Sequence, residues 1–148
     1  MIGRAAIVEE ARTWLGTPFQ HQARLKGVGV DCLGLIGEVG AALKLPGTEA
    51  WRTSEEFRGY GPTPRPDLLL AACERYLDRI ALASVGLGDI LLMAFKVFPQ
   101  HFAIVSRVAP TYVIHAYPLG AVDRVTENGV AVAGAKVIRA YRYRGVMP

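Results

Sequence analysis

The spacing of apolar residues changes once along this 148-residue chain, and the change limits the folds that it can form. Up to about residue 80, apolar side chains recur every three or four positions, which is the period of an amphipathic helix. Beyond residue 86 they lie in short segments rich in β-branched and aromatic residues and separated by Gly, Pro or Asn-Gly, a pattern typical of strands. Helices followed by strands predict an α+β domain in which N-terminal helices pack on a C-terminal antiparallel β-sheet.

The helical half contains three predicted helices. Their apolar stripes run from Ala5 to Leu15, from Cys32 to Leu43 and from Asp67 to Ile80. Gly16 and the Thr-Pro pair after it end the first helix, the Leu-Pro pair at 45–46 ends the second, and Asp31 is the predicted N-cap of the second.

Five strands are predicted in the other half of the chain: Ile90–Phe95, Phe102–Val108, Tyr112–Tyr117, Ala121–Val125 and Lys136–Tyr143. Two further segments show neither period. Residues 20–30 are predicted to be a polar loop, and 47–65 an ordered but irregular segment at the border of a cleft.

Length and composition favour one globular domain over residues 1–148. The chain is 51% hydrophobic and 20% charged, which is enough to bury a core. The net charge of +4 comes from scattered basic residues and indicates a solvated face, with little support for nucleic-acid recognition. Neither a secretory signal nor a membrane span is expected, since Glu9 and Glu10 interrupt the start and no apolar window is long enough. We therefore expect synthesis in the cytoplasm.

Cys32 lies where a glycine-bearing loop gives way to the second predicted helix. Backbone N–H groups and the positive end of a helix dipole favour thiolate over thiol, and thiolate is the nucleophile. The alternative is a small buried hydrophobe, which is how most free cysteines behave. The other cysteine, Cys73, lies inside an apolar helical stripe and is predicted to be structural. Two cysteines are too few for a disulfide framework, although one bridge between them is compatible with the sequence.

His101 and His115 lie in consecutive predicted strands that a short Ala-Pro-Thr segment joins. Alternation along the strand puts His101 on the same face as Ala103 and Val105, and the two imidazoles are predicted to be cross-strand neighbours. Such histidines are either satisfied core residues or a base and its orienting group. His21 lies in the loop before Cys32 and could border a site there. A zinc site built from these four residues has little support, because no paired metal-ligand spacing occurs.

Five runs of the chain, in this order, resemble the NlpC family of papain-like cell-wall cysteine peptidases, and more narrowly its branch encoded in phage tail modules and gene transfer agents. They are Trp14-Leu15-Gly16-Thr17-Pro18-Phe19, His21-Gln22-Ala23, Gly29-Val30-Asp31-Cys32-Leu33-Gly34-Leu35, Gly88-Asp89-Ile90-Leu91 and His101-Phe102-Ala103-Ile104-Val105. The resemblance extends from about Ala5 to the strand containing His115.

The resemblance implies a papain-like fold and a triad of Cys32 as nucleophile, His101 as base and His115 as the group that orients His101. It implies hydrolysis of the γ-D-glutamyl-diaminopimelate type of bond in bacterial peptidoglycan peptides, with no metal or organic cofactor. The backbone N–H of Cys32 would help to hold the oxyanion, and Asp31, Phe19 and His21 would border the site.

Phe19 is a departure from the family, because many relatives have tyrosine at this position. A tyrosine hydroxyl there would contribute about 1 to 3 kcal/mol of transition-state stabilisation. The expected partners are tail tip or hub proteins, which would bring the enzyme to the wall so that DNA can cross it, and the expected final location is the tail of a phage or phage-like particle. The alternative is a structural tail component with weak or no catalysis.

Overall fold

A computed structural model describes residues 1–54, 66–95, 98–117, 123–130 and 135–148. Within these ranges the helices are α1 (Arg4–Arg12), α2 (Cys32–Ala42), α3 (Thr48–Thr53) and α4 (Pro66–Tyr76), with a 3₁₀ turn at Leu82–Ser84. The strands are β1 (Arg24–Leu25), β2 (Gly29–Val30), β3 (Asp78–Ile80), β4 (Ile90–Phe95), β5 (Phe98–Arg107), β6 (Tyr112–Tyr117), β7 (Arg124–Gly129) and β8 (Lys136–Arg142).

Six of the strands form one antiparallel sheet in the order β3-β8-β4-β5-β6-β7, and β1 and β2 form a separate hairpin. The predicted α+β class is therefore confirmed. Three local predictions are wrong. Residues 48–53 are helical, residues 78–80 form a strand instead of extending a helix, and the polar loop at 20–30 contains the hairpin. Of the segment predicted to be irregular, 55–65 lies outside the described residues, as do positions 121 and 122 of one predicted strand.

The central strands of the sheet are buried on both faces, which explains their nearly continuous apolar runs. Residues that alternate along β4 and β5 divide between two clusters. The larger cluster packs against the helices and includes Leu35, Ile36 and Val39 of α2. The smaller cluster lies on the opposite face and contains Leu91, Met93, Ala103, Val105, Val113 and Ala140.

Helix α3 packs closely on α2 because glycines line the contact. A Cβ at Gly37 would lie 2.7 Å from Trp51 Cδ1, and a Cβ at Gly40 would overlap the Thr48 side chain. Trp51 is buried, donates its indole N–H to the Leu33 carbonyl at 3.0 Å, and meets the Phe102 ring edge-on at 5.9 Å. The first turn of α2 is thereby fixed relative to β5.

Residues 16–20 join the edge strand β7 to β2 by backbone pairing on both sides. On the β7 side the hydrogen bonds run from Gly16 N to Val125 O (3.0 Å), from Val125 N to Thr17 O (2.9 Å) and from Phe19 N to Asp123 O (2.7 Å). On the β2 side they run from Val30 N to Pro18 O (3.0 Å) and from Gln20 N to Val30 O (3.1 Å). The chain just before Cys32 is therefore tied to the edge of the sheet.

A buried carboxylate, Asp89, ties α1 to two strands of the sheet. It accepts hydrogen bonds from Arg4 at 2.6 Å, from Arg142 at 2.8 Å to each oxygen, and from the Gly86 backbone N–H at 2.8 Å. Its side chain is 1% exposed, whereas the Asp78 side chain, which pairs with Arg144, is 62% exposed. A buried ion cluster loses much more when one partner is removed than an exposed pair does.

We predict that Asp89→Asn lowers the free energy of unfolding by about 3 kcal/mol, because two partly buried guanidinium groups lose their counter-charge. The matched variant Asp78→Asn removes the same charge from an exposed pair and should cost less than about 1 kcal/mol. Urea unfolding followed by circular dichroism measures both. Equal costs in the two variants would contradict a structural role for the Asp89 cluster.

Candidate active site

Asp31 sets the start of α2, and both of its carboxylate oxygens are used to do so. Oδ1 accepts the Gly34 backbone N–H at 2.7 Å, which is the N-cap bond predicted from the sequence, and Oδ2 accepts the Gln22 backbone N–H at 2.7 Å. Asp31 is buried and Cys32 is the first helical residue. The carboxylate thus holds the preceding loop and the helix in one arrangement around the thiol.

The Cys32 thiol lies against β5 and is protonated at neutral pH. Burial, and after it the Asp31 carboxylate, raise its pKa to about 12, while hydrogen bonds from the backbone N–H groups of Phe102, Leu33 and Cys32 itself act in the opposite direction. The N–H groups that the sequence predicts at the helix start are therefore present. Their effect is outweighed by desolvation, so the prediction that the helix start favours thiolate in the free protein is wrong.

His101 and His115 lie just beyond the point where β5 and β6 stop pairing. Among the described residues, this ladder runs from the Arg107–Tyr112 pair to the Ile104–Ile114 pair. The two histidines are hydrogen-bonded, with His101 Nε2 at 2.7 Å from His115 Nδ1 and the rings inclined at 62°. The prediction that the two imidazoles are neighbours is confirmed.

Both histidines are buried and neutral at neutral pH. Burial, followed by the charge that His115 would carry, lowers the pKa of His101 to about 3. Burial also lowers the pKa of His115, with the hydrogen bond to Asn128 opposing it. The Cys32 thiol bonds to the Phe102 backbone N–H, so it lies against the strand backbone next to His101.

Asn128 extends the polar cluster beyond the residues predicted from the sequence. Its side-chain Oδ1 is 2.9 Å from His115 Nε2. It lies in β7 opposite Val113, two positions from the Thr126–His115 pair, and therefore on the same sheet face as His115. The sequence pattern does not identify Asn128 as a site residue, because it is part of an Asn-Gly pair, which typically indicates a hairpin turn.

The other predicted site residues, Phe19 and His21, lie in the segment before the β1–β2 hairpin. Phe19 is half-buried and packs against the same helix-facing cluster as Cys32, and His21 is exposed in the segment between Phe19 and β1. Both cysteines are free, and Cys73 is buried in that cluster, as predicted for a structural thiol. Within the described ranges, no group of three His, Cys, Asp or Glu residues could hold a metal ion. No helix there is long and apolar enough to span a bilayer.

Comparison with known proteins identifies the fold. No family model matches the chain, and no curated protein matches it. Among solved structures, the NlpC/p60 domain of the peptidoglycan hydrolase SagA superposes with a TM-score of 0.60 at 21% identity, over 93% of this chain and 97% of that one.

Two longer proteins contain a similar domain. NlpC2 from Trichomonas vaginalis matches with a TM-score of 0.64 at 17% identity, over 95% of this chain. An NLP/P60-family protein described as similar to lipoprotein, from Staphylococcus aureus, matches with a TM-score of 0.58 at 16% identity, also over 95% of this chain. The chain spans 46% and 41% of their respective lengths. The fold is thus that of NlpC/p60 papain-like domains, as the resemblance implied.

We predict that the protein loses stability as the pH falls below about 6.5, the ordinary pKa of histidine in an unfolded chain. The histidines of the unfolded state are then protonated, whereas those of the folded protein stay neutral until lower pH. The pKa of His115 is lowered in the folded state, and that of His101 is lowered to about 3. Below about pH 6.5, His101 should lower the free energy of unfolding by up to about 1.4 kcal/mol per pH unit, and His115 should add to this loss. Urea titrations from pH 7.5 to 5 measure this slope. The His101→Gln/His115→Gln variant should lose most of the slope, and an unchanged slope would contradict buried neutral histidines.

Proposed function

We propose that the chain is a cysteine peptidase that hydrolyses peptide bonds of bacterial peptidoglycan. The proposal rests on the hydrogen bond between His101 and His115, together with the bond from the Phe102 backbone N–H, one residue after His101, to the Cys32 thiol at the start of α2. Both lie within a fold shared with a peptidoglycan hydrolase domain. A thiol, an imidazole and a group that orients the imidazole are the components of nucleophilic acyl transfer.

The proposed reaction has two stages. Cys32 Sγ bonds to the amide carbonyl carbon while its proton passes to His101, and the C–N bond then breaks as that proton passes to the leaving amine. In the second stage, water attacks the thioester carbonyl carbon and gives a proton to His101. The C–S bond breaks, the proton returns to sulfur, and a carboxylic acid leaves. No metal or organic cofactor takes part in either stage.

Charge forms in this site only when the substrate is present. The raised pKa of Cys32 and the lowered pKa of His101 keep both groups neutral in the free protein. During attack, negative charge moves from sulfur to the carbonyl oxygen, where the backbone N–H of Cys32 can donate to it. Asp31 is an acceptor committed to two backbone N–H groups, so its role is to hold the loop and helix in place.

The substrate class we propose is the short peptide of peptidoglycan, cut at the γ-D-glutamyl-diaminopimelate type of bond. This rests on the fold and on the resemblance of the five motif runs to tail-encoded NlpC peptidases. In that setting the chain would be made in the cytoplasm, would associate with tail tip or hub proteins, and would open the wall locally for DNA. His21, exposed before β1, and Phe19 would line the approach to Cys32.

A second function is favoured by two observations. The Cys32 thiol is protonated well above neutral pH, and Phe19 lacks the hydroxyl that tyrosine would bring. Both fit a tail-tip component in which the peptidase fold is kept for packing and assembly and catalysis is weak.

We predict that the purified protein cleaves defined muropeptides that end in diaminopimelate, and that Cys32→Ala abolishes cleavage. The matched variant is Cys73→Ala, which removes the other free thiol from the buried cluster and should keep the wild-type rate within a few fold. Mass spectrometry of the products identifies the bond. Circular dichroism confirms that each variant is folded.

Two results would contradict the enzyme proposal. Folded wild-type protein that leaves every muropeptide intact would favour the structural role. Equal loss of activity in the Cys32→Ala and Cys73→Ala variants would show that a disturbed core, and not a missing nucleophile, stops the reaction.

We also predict that Phe19→Tyr raises the rate of cleavage roughly 5- to 150-fold, because a hydroxyl near the reacting carbonyl contributes about 1 to 3 kcal/mol. Phe19 is half-buried, so the polar atom can be placed at the surface of the cluster. The measurement is kcat for the muropeptide in wild type and variant, with unfolding curves as the control. A rate that is unchanged or lower would mean that the hydroxyl does not reach the site.

A further inference from the structure

Three side chains, those of His101, His115 and Asn128, are linked in series by two hydrogen bonds. His101 Nε2 lies 2.7 Å from His115 Nδ1, and His115 Nε2 lies 2.9 Å from Asn128 Oδ1. Each contact is short enough for a hydrogen bond, so each requires one donor and one acceptor. The group at the end of this hydrogen-bonded series therefore determines which ring nitrogens of the two histidines carry the protons.

Asn128 sets the donor-to-acceptor direction of the hydrogen-bonded series. A side-chain amide oxygen is only an acceptor, so His115 must carry its proton on Nε2. In a neutral imidazole the other nitrogen is then bare, and His115 Nδ1 accepts from His101. His101 must in turn carry its proton on Nε2, which leaves the lone pair of this ring on Nδ1.

We infer that Asn128 is a positioning residue that selects the tautomers of both histidines and so makes Nδ1 of His101 the basic nitrogen. The inference rests on the proposed function for its catalytic meaning, and on the two contacts for its chemistry. Asn128 is hydrogen-bonded to His115 and would act on the reaction through it.

Burial makes this selection strict. His101 and His115 have exposures of 4% and 0%, so water has little access to satisfy a nitrogen left without its partner. If His115 carried its proton on Nδ1, its bare Nε2 would face the Asn128 oxygen, and two acceptors would meet in a partly buried place. Rotation of the amide would restore that bond but would reverse the direction of the whole series, with the proton of His101 on Nδ1 and no base available for the thiol.

The direct test is nitrogen NMR of the imidazoles, which distinguishes a protonated ring nitrogen from a bare one. In wild-type protein at pH 7, we expect both histidines to carry their proton on Nε2 with Nδ1 bare. In Asn128→Ala, the acceptor is missing and His115 should sample both tautomers. The matched control is Thr126→Val, a substitution on the same strand and the same face, which should leave the wild-type pattern in place.

The kinetic test uses the same variants and the muropeptide assay. Asn128→Ala should lower kcat roughly ten- to a thousand-fold with little change in KM, below the ~10⁴-fold loss of a triad whose imidazole is held in the wrong tautomer. Thr126→Val should stay within a few fold of wild type.

The outcomes separate this inference from the proposed function. Wild-type protein with the proton of His115 on Nδ1, or Asn128→Ala with unchanged tautomers, would overturn the role of Asn128 whether or not the protein cleaves anything. Expected NMR patterns in a protein that cleaves no muropeptide would instead uphold the tautomer assignment and reject the peptidase. Loss of activity in Asn128→Ala with wild-type tautomers would mean that the residue acts by packing alone.

Discussion

The two-sided backbone pairing of residues 16–20 is the constraint on which the geometry of the site depends. Cys32 belongs to a helix, whereas the histidines and Asn128 belong to a sheet, and no hydrogen bond within either element fixes one relative to the other. The Gly16–Gln20 segment pairs with β7 on one side and with Val30 on the other. The edge strand that carries Asn128 and the strand that leads to Cys32 thus share one short rigid connector, and Trp51 secures the first turn of α2 against β5.

Desolvation is the second constraint, and it opposes the helix-start effect that makes Cys32 conspicuous. A thiolate at a helix N-terminus gains from backbone N–H groups, but at the half-buried Cys32 desolvation and the neighbouring Asp31 carboxylate cost it more than it gains. The same burial keeps His101 neutral. Cys32 and His101 are therefore neutral hydrogen-bonding groups in the free protein. In the proposed reaction, charge forms only when a substrate carbonyl brings an oxygen that can carry it.

Local physics explains which features could be predicted from the sequence. The change of apolar period at about residue 80 and the Asp31 cap depend on neighbours in the chain, and both are present in the structure. Helix α3 depends on glycines of α2 that admit Trp51, and β3 depends on β8, some sixty residues away along the chain. Asn128 was missed for the same reason, because its Asn-Gly pair indicates a turn until the register with β6 places it beside His115. The pKa of Cys32 also depends on burial that only the tertiary fold creates.

Asn128 lies on β7, an edge strand of the sheet. Buried central strands are held by ladders on both sides, whereas β7 has β6 on one side and only the short 16–20 segment on the other. A shift of that segment would move β7 and Val30 together, and would change the Asn128–His115 contact and the loop before Cys32 at the same time. Asn128 and the loop before Cys32 are thereby joined through backbone hydrogen bonds of the 16–20 segment at one edge of the sheet.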